Sequence, residues 1–452
     1  MIVPSNRLLA AAAVVVLPFA TVAGAIPAAA PVAIAVIGAV IVAVLIDAAG
    51  ALGRLDGIAA ELPEAVRLTK EREGTIAIRI TNERMRPARL RLGIALPRPF
   101  DSPQETLATV LPAGAVHSTL EWPCTPGRRG NYLLERVFFE TPSPMGFWAM
   151  RGVSRCRSEL RVYPNLFLDR RYLAALFLNR GTFGIHAQRQ VGKGREFEKL
   201  REYIPGDSYD EIHWKATAKR GHPVTKVFQI ERTQEVYVIV DASRLSARFP
   251  EQNAAPTDAS GGGRPTYLER FITASLVMGL AAEQQGDRFG VLVFDDQVRR
   301  FVPAGSGKTH YGTCRDAIYT LEPRTVNPDF DELFTFIRLR LRRRALLVFL
   351  TSLDDPVLAE SFTHNMELIR RQHLILVNMM SPSGVQPLFS SGAVSSVSDV
   401  YAHLAGHLQW HDLRELERVL HRRGVTFSLL NNERMCVQLV SQYINVKQRQ
   451  LL

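Results

Sequence analysis

Hydrophobic and polar positions divide the chain into three stretches of different period. The first is apolar without interruption: between Arg7 and Asp47 lie 39 residues and no charge. One membrane-spanning helix needs roughly 20 apolar residues, so the run is too long for one span and suits two short ones. Gly24-Ala25-Ile26-Pro27, followed by Pro31, marks a tight turn between them. The pattern predicts one helix over about residues 8–23 and a second over about 29–46, a hairpin within residues 1–58 that sits in the lipid bilayer. Arg7 precedes the hairpin and Arg54 and Arg67 follow it, so the positive-inside rule puts both flanks in the cytoplasm. The run admits a second reading. Arg7, the apolar stretch and Ala23-Gly24-Ala25 also have the form of a cleavable signal peptide, which would leave one span and put the large domains outside.

From residue 59 to residue 165 the period changes to two. Thr75-Ile76-Ala77-Ile78-Arg79-Ile80 alternates, as does Ala88-Arg89-Leu90-Arg91-Leu92-Gly93-Ile94, and Tyr132–Leu134 and Arg136–Phe139 add further short apolar strands. Such strands, separated by Pro, Gly and Asn, predict a β-sandwich-like domain. Further on, Pro205-Gly206-Asp207 reads as a turn, and Ser208 with Glu211 as the capping box of a helix running to Gly221. Lys219 and Arg220 would lie at the negative end of its dipole. This helix either bolts two domains together or presents Trp214 and Lys215 to a partner or a lid.

The third stretch, 233–452, alternates apolar runs with helical patterns. Strands are predicted at 235–241, 288–294, 298–302, 345–351, 373–379 and 425–430. Helices are predicted at 267–285, 309–321, 329–342, 356–371, 398–423 and 431–445. Strands alternating with helices of this length predict an α/β doubly wound sheet. The whole is therefore multi-domain: a transmembrane helical hairpin, a β-sandwich-like segment, a connecting element within 186–232 and an α/β domain.

Composition narrows the partners. The 452 residues carry 55 Lys+Arg against 44 Asp+Glu, a formal net charge of +11. This excess permits contact with anionic lipid or an acidic partner, and Arg338, Arg340, Arg342, Arg343 and Arg344 concentrate it at one helix end. No RRM, zinc-finger or other recognition motif accompanies the charge, so no nucleic acid is expected. The four Cys are far apart in sequence and include no CxxC, which fits reduced thiols in a cytosolic domain.

In open α/β sheets ligands sit beyond the carboxyl ends of strands. Three predicted ends carry chemistry: Asp241-Ala242-Ser243-Arg244, Gly305-Ser306-Gly307-Lys308-Thr309 and Thr351-Ser352-Leu353-Asp354-Asp355. A carboxylate with hydroxyls from several loops can hold a hard cation such as Mg2+. The second end resembles the tail of a Walker A loop. That motif needs Gly five positions before Gly307, and Val302 stands there. The shortened loop has lost the backbone N–H groups that wrap a β-phosphate. His213, His364 and His373 are isolated, and no nucleophile-and-base grouping can be assembled, so no enzymatic activity is expected.

Gly192-Lys193-Gly194-Arg195-Glu196-Phe197, Leu200-Arg201-Glu202-Tyr203-Ile204-Pro205-Gly206-Asp207 and Ile212-His213-Trp214-Lys215-Ala216-Thr217-Ala218 together closely resemble the signature of Domain of Unknown Function 58. Arg129–Tyr132, Ser143-Pro144-Met145-Gly146-Phe147-Trp148, Val162-Tyr163-Pro164 and the apolar hairpin also look like that family. The resemblance implies a bacterial membrane protein with two spans, a β-rich segment and a C-terminal von Willebrand factor type A-like domain. It further implies association with MoxR-type AAA+ ATPases and a chaperone-like or adaptor role in assembling other complexes. Within the signature, Arg201, Glu202, Tyr203, Pro205, Gly206, Asp207, Trp214 and Lys215 are the expected partner contacts.

The type A metal site implied by the resemblance reads Asp-x-Ser-x-Ser, then Thr, then a later Asp. Asp241 and Ser243 match, Leu245 replaces the second Ser, Thr309 stands for the Thr, and Asp354 or Asp355 would substitute for an Asp where Ser352 occurs. The site looks degraded, and Asp241, Ser243, Thr309 and Asp354 form either a weak Mg2+ site or a hydrogen-bonded cluster that stabilises the fold. Three functional expectations follow. The first is an adaptor in the cell (inner) membrane with its large C-terminal part cytoplasmic. The second is an enzyme using nucleotide at 305–309 or metal at Asp241. The third is an exported surface adhesion module on one span.

Overall fold

A computed structural model of the chain describes residues 1–85, 88–167, 191–204, 209–229, 234–250, 265–388, 390 and 396–449. They fall into two compact units, one within Met1–Asn165 and the other from Leu166 onward.

The first unit begins with a short strand, β1 (Ile2–Pro4), and the apolar hairpin. Its first arm comprises α1 (Asn6–Ala11), a π-helical turn (Ala12–Val16) and α2 (Leu17–Ala25). The widened turn accommodates Pro18, which has no N–H to donate and would crowd the preceding carbonyls in a regular helix. Ile26 is extended, Pro27–Ala29 makes one tight turn, and α3 (Ala30–Ala51) is the second arm. Both arms are long and apolar enough that they could span a membrane. Val14, Val22, Ile34, Ile41 and Leu45 stay exposed, so protein does not cover their apolar faces.

The second arm does not end at residue 46. It continues through Asp47 to Ala51, because the charge that appeared to mark its end is buried and fully used. Asp47 Oδ1 accepts from the Met145 N–H at 2.7 Å, and Oδ2 accepts from the Phe147 N–H at 3.0 Å and from the Ser143 hydroxyl. The Trp148 indole donates to the Val44 carbonyl at 3.0 Å. The same loop holds the other end of the hairpin. The Ser5 N–H donates to the Phe147 carbonyl at 2.9 Å, and its hydroxyl to the Gly146 carbonyl. Both ends of the hairpin thus meet at Ser143–Trp148.

Behind the hairpin lies a two-layered β structure. One sheet has the order β1-β10-β9-β5-β7, where β5 is Ala88–Ile94, β7 Leu107–Leu111, β9 Gly130–Pro142 and β10 Trp148–Tyr163; β3 (Ala65–Thr69) pairs parallel to β10. The other has the order β2-β4-β8-β6, with β2 Ile58–Glu61, β4 Gly74–Asn82, β6 Phe100–Asp101 and β8 His117–Pro126. Alternation sends Ile76, Ile78, Ile80, Trp122 and Cys124 of one sheet into the same core as Leu90, Leu92, Leu134, Val137, Phe139, Leu160 and Val162 of the other.

The second unit opens with a two-stranded ribbon, β11 (Val191–Glu202) and β12 (Val224–Gln229), joined through α4 (Trp214–Arg220). Its main body is one six-stranded sheet in the order β15-β14-β13-β16-β17-β18. The strands are β13 Glu235–Asp241, β14 Arg288–Phe294, β15 Val298–Gly305, β16 Ala345–Leu350, β17 Leu374–Met380 and β18 Thr426–Leu430. All are parallel except β15, which returns antiparallel to β14 at the edge. One face packs on α5 (Tyr267–Gln284) and α10 (Met435–Gln448), the other on α7 (Phe330–Arg340), α8 (Pro356–Met366) and α9 (Val397–Arg422). Helices on both faces make this an α/β doubly wound layer structure. Thr266, Asp329 and Asp355 cap the starts of α5, α7 and α8 with their side chains. At the amino end of the sheet Asp287 accepts from the Tyr443 hydroxyl, from Lys447 Nζ at 2.9 Å and from the Gln234 N–H at 3.2 Å, tying α10 to the start of β14.

Candidate functional site

The carboxyl ends of β13 and β16 bring Asp241 and Thr351 together. Thr351 Oγ1 donates to Asp241 Oδ2 at 2.6 Å, and the Ser243 N–H donates to Oδ1 at 2.8 Å. Both side chains are wholly buried. Burial pushes the Asp241 carboxyl above the usual carboxylate range, against the lowering effect of its hydrogen bonds. Ser243 Oγ accepts from the Leu245 N–H at 3.3 Å, closing the turn, and the Ser246 hydroxyl donates to the Ser243 carbonyl at 2.8 Å.

Around this buried pair stands a ring of arginines and carboxylates. Asp354 pairs with Arg248. Asp295, just past the end of β14, is buried and accepts from Arg299 Nε with both oxygens at 2.8 Å, while Arg324 approaches it at 3.3 Å. Arg324 also lies 3.6 Å from Asp296. Two backbone bonds dock the 324–326 loop on the first strand end: the Arg324 N–H to the Ala242 carbonyl at 2.8 Å, and the Arg244 N–H to the Val326 carbonyl at 3.0 Å. Ser352 Oγ and Asp354 Oδ1 are buried without a hydrogen-bond partner among the described residues.

Thr309 is not part of this group. β15 runs antiparallel, with Val298 beside Phe294 and Gly305 beside Phe289. The Gly305–Thr309 segment is therefore at the amino end of the sheet. It is separated from Asp241 by the length of a seven-residue strand, roughly 20 Å at about 3.3 Å per residue. The three chemically marked ends do not converge, and Lys308 begins α6 (Lys308–Ile318) on the wrong side for a nucleotide site beyond the parallel strands. Asp355 is also removed from the candidate set, since its carboxylate caps α8 by accepting from the Val357 N–H at 3.0 Å.

A hard cation wants several oxygen ligands and keeps some of its waters. Asp241 has both oxygens engaged and no exposure, Leu245 stands where a hydroxyl would be needed, and Asp354 is neutralised by Arg248. Among the described residues no three His, Cys, Asp or Glu side chains gather into a group able to hold a metal. These residues do not fit Mg2+.

The signature region forms a second candidate surface. The expected cap at Ser208 lies outside the described residues together with Pro205, Gly206 and Asp207, but the predicted helix is not continuous over the described residues 209–213. Tyr209–Glu211 makes one tight turn, Ile212 then bridges to Thr225, and α4 starts only at Trp214. That bridge, with the His213 N–H donating to the Val224 carbonyl at 2.8 Å, uses backbone groups that a continuous helix would need. The cap is His213, whose Nδ1 accepts from the Ala216 N–H at 3.0 Å, and Gly221 ends the helix with a left-handed φ of 73°. Arg201 lies opposite Thr225 in the ribbon, Glu202 approaches His222 at 3.5 Å, and the Tyr203 ring stacks on Tyr209. Trp214 is 68% exposed, Tyr209 75%, and Lys215 is exposed beside them.

The sequence reading overlooked Asp295, Arg248, Arg299 and Arg324. For Asp295 a signal existed: like Asp241, it comes straight after a continuous run of apolar residues. The arginines come from loops and an edge strand whose arrival at this edge depends on the folded topology.

Comparison with known proteins gives the following similarities. The family described as Protein of unknown function DUF58 matches residues 199–395, from within β11 through most of the α/β sheet. Uncharacterized proteins of Mycobacterium bovis and Mycobacterium tuberculosis are 24% identical over 206 residues, which is 45% of this chain and 60% of theirs. The chain thus spans 60% of the length of the curated relatives it matches. Among solved structures, the SpRpn10 VWA domain aligns at 11% identity with a TM-score of 0.26, covering 46% of this chain and 95% of that one. The PilB minor pilin from Streptococcus sanguinis aligns at 9% identity with a TM-score of 0.32, covering 91% and 98%. Proximal thread matrix protein 1 of the mussel byssus aligns at 13% identity with a TM-score of 0.25, covering 46% and 45%.

Proposed function

We propose that this chain is a membrane-anchored protein-interaction protein of the adaptor type. The hairpin sits in the cell membrane and the large C-terminal part faces the cytoplasm. The second unit is a von Willebrand factor type A-like domain that docks a MoxR-type AAA+ ATPase during assembly or maturation of other complexes. The observation that carries this reading is Trp214, a large aromatic 68% exposed at the first position of a helix capped at both ends. Interface energy concentrates in Trp, Tyr and Arg held on rigid supports, and Tyr209 and Lys215 flank it here. Catalysis has weaker support: Asp241 and Thr351 are spent on each other, and Lys308 begins a helix at the far end of the sheet.

Co-purification from solubilised native membranes tests the reading. The wild-type chain recovers an AAA+ ATPase, and Trp214→Ala recovers at least tenfold less while keeping its unfolding temperature, since Trp214 is not part of the core. Repeated recovery of no ATPase by the wild-type chain would contradict the reading. A reporter fused to the C-terminus reads the orientation: a cytoplasmic signal supports the hairpin, and an exported one supports the surface-module alternative.

A further inference from the structure

Five strands of the α/β sheet run parallel, so five segments enter it at the same, amino, edge. Arginine crowds four of these entries. Arg288 opens β14, and Arg342-Arg343-Arg344 lie just before β16. Arg370 and Arg371 lie shortly before β17, and Arg422 and Arg423 shortly before β18. The Gln372 amide donates to the Leu341 carbonyl at 3.1 Å and to the Arg342 carbonyl at 2.9 Å, which holds the β16 and β17 entries side by side. Two carboxylates stand among these arginines, and each is shared. Arg288 and Arg343 share Glu235, and Arg370 and Arg423 share Glu367. Asp287, also at this edge, is buried and paired with Lys447. Arg342, Arg371 and Arg422 are exposed and form no ion pair with a carboxylate among the described residues. Positive charge is therefore in clear excess here. A helix C-terminus accounts for cations in its last turn, but Arg342–Arg344 and Arg371 lie past the last turns of α7 and α8. Leu339, 68% exposed, and Leu368, 48% exposed, stand at the same edge among the arginines.

We propose that this amino edge binds the headgroups of anionic phospholipid, as a second attachment of the chain to the membrane in which it is anchored. This rests on the membrane-anchoring reading above and adds to it a contact made by the α/β domain. Charge complementarity selects the occupant. Guanidinium groups take phosphate oxygens in bidentate pairs, and each basic residue near an anionic leaflet strengthens association roughly fivefold. The exposed leucines decide between lipid and an acidic protein. Leucine among basic residues suits the boundary between headgroups and acyl chains, whereas an acidic protein face would set Leu339 and Leu368 against charge. A chain already tethered in the bilayer keeps lipid at high effective concentration, so a contact too weak to hold a free protein is enough.

The test puts a photoreactive phenylalanine analogue at position 339 of the full chain, reconstituted in nanodiscs of phosphatidylcholine alone or mixed equally with phosphatidylglycerol. Mass spectrometry counts the lipid adducts. The mixed discs should give at least tenfold more adduct, and about 0.5 M salt should remove the gain by screening. The same analogue at position 357, where Val357 is 73% exposed at the opposite edge, should show no gain. Arg342→Gln/Arg343→Gln should cut the adduct at position 339 at least tenfold, with the unfolding temperature unchanged because both side chains are exposed. Arg342→Lys/Arg343→Lys should keep most of it. Should the Gln pair fail to fold, Arg371→Gln/Arg422→Gln is read in the same way. Equal yields in the two kinds of disc, equal gains at positions 339 and 357, or a gain that the folded Gln variants retain would overturn the proposal. So would adducts in intact cells that join position 339 to a protein and not to lipid, the outcome for an acidic partner. Flotation with phosphatidylcholine vesicles reads the hairpin separately. A chain that does not float with them contradicts the anchoring reading, and flotation with phosphatidylglycerol vesicles then reads the edge alone. Recovery that the Gln pair loses supports the proposal there, and no recovery overturns it.

Discussion

Thr351 donates its hydroxyl hydrogen to Asp241 across the carboxyl ends of two adjacent parallel strands, at 2.6 Å and out of reach of solvent. The pair reads as a clamp between β13 and β16, and it sets a pH dependence. Burial raises the Asp241 carboxyl in the folded chain. Its contribution to stability is therefore full below the ordinary carboxylate range and is lost as pH rises through the folded value. Asn at this position carries no charge to desolvate. The difference in unfolding temperature between Asp241→Asn and wild type should become more favourable to the variant between about pH 4 and pH 8. Thermal melts across that range read it, and a difference moving the other way would remove the clamp as described.

His373 carries the opposite sign. It is buried just before β17, and burial lowers its imidazole below the usual value. The folded chain prefers the neutral ring, so this contribution is present above about pH 6.5 and is lost as pH falls. Melts of His373→Phe should lose less stability than wild type between about pH 7 and pH 5. Equal acid sensitivity in both would contradict the assignment.

The loop at Ser143–Trp148 is the joint of the first unit. Asp47→Ala strips acceptors from the Ser143 hydroxyl and from two backbone N–H groups, at a cost of about 3 kcal/mol. Trp148→Phe removes one bond to the Val44 carbonyl and should cost about 1 kcal/mol. Limited proteolysis in detergent should cut Asp47→Ala at residues 143–148 well before wild type, with Trp148→Phe between them.

At the opposite end of the second unit, Tyr443→Phe deletes the phenol that donates to buried Asp287. Burial, with Asp287 beside it, pushes that phenol far up, so it remains a donor at any working pH. Lys447 still reaches Asp287, so the expected loss is about 1–2 kcal/mol by urea unfolding. Lys447→Ala with Tyr443→Phe should cost more than the two singly, because the carboxylate is then buried with only the Gln234 N–H.

Most of the secondary structure was legible because its signals are local. The run Arg288–Phe294 is a strand with those same ends, and Gly24–Pro27 does break the apolar stretch. What was not legible depends on distant partners. Asp47 looked like a helix end because the groups that satisfy it lie about 100 residues away. The misplacement of Thr309 had a readable warning. Three residues separate Phe294 from Val298, too few for the crossover that a parallel neighbour needs, so the two strands had to form an antiparallel hairpin. His213 looked isolated because its role as a cap exists only once Ile212 has paired with Thr225.

Site-specific photocrosslinking in intact cells addresses the central claim most directly. A photoreactive phenylalanine analogue at Trp214 is compared with one at Val357, equally exposed on α8 but outside the signature. The account predicts that position 214 crosslinks to an AAA+ ATPase and position 357 does not. No ATPase adduct from position 214, or adducts of equal yield from both positions, would contradict it.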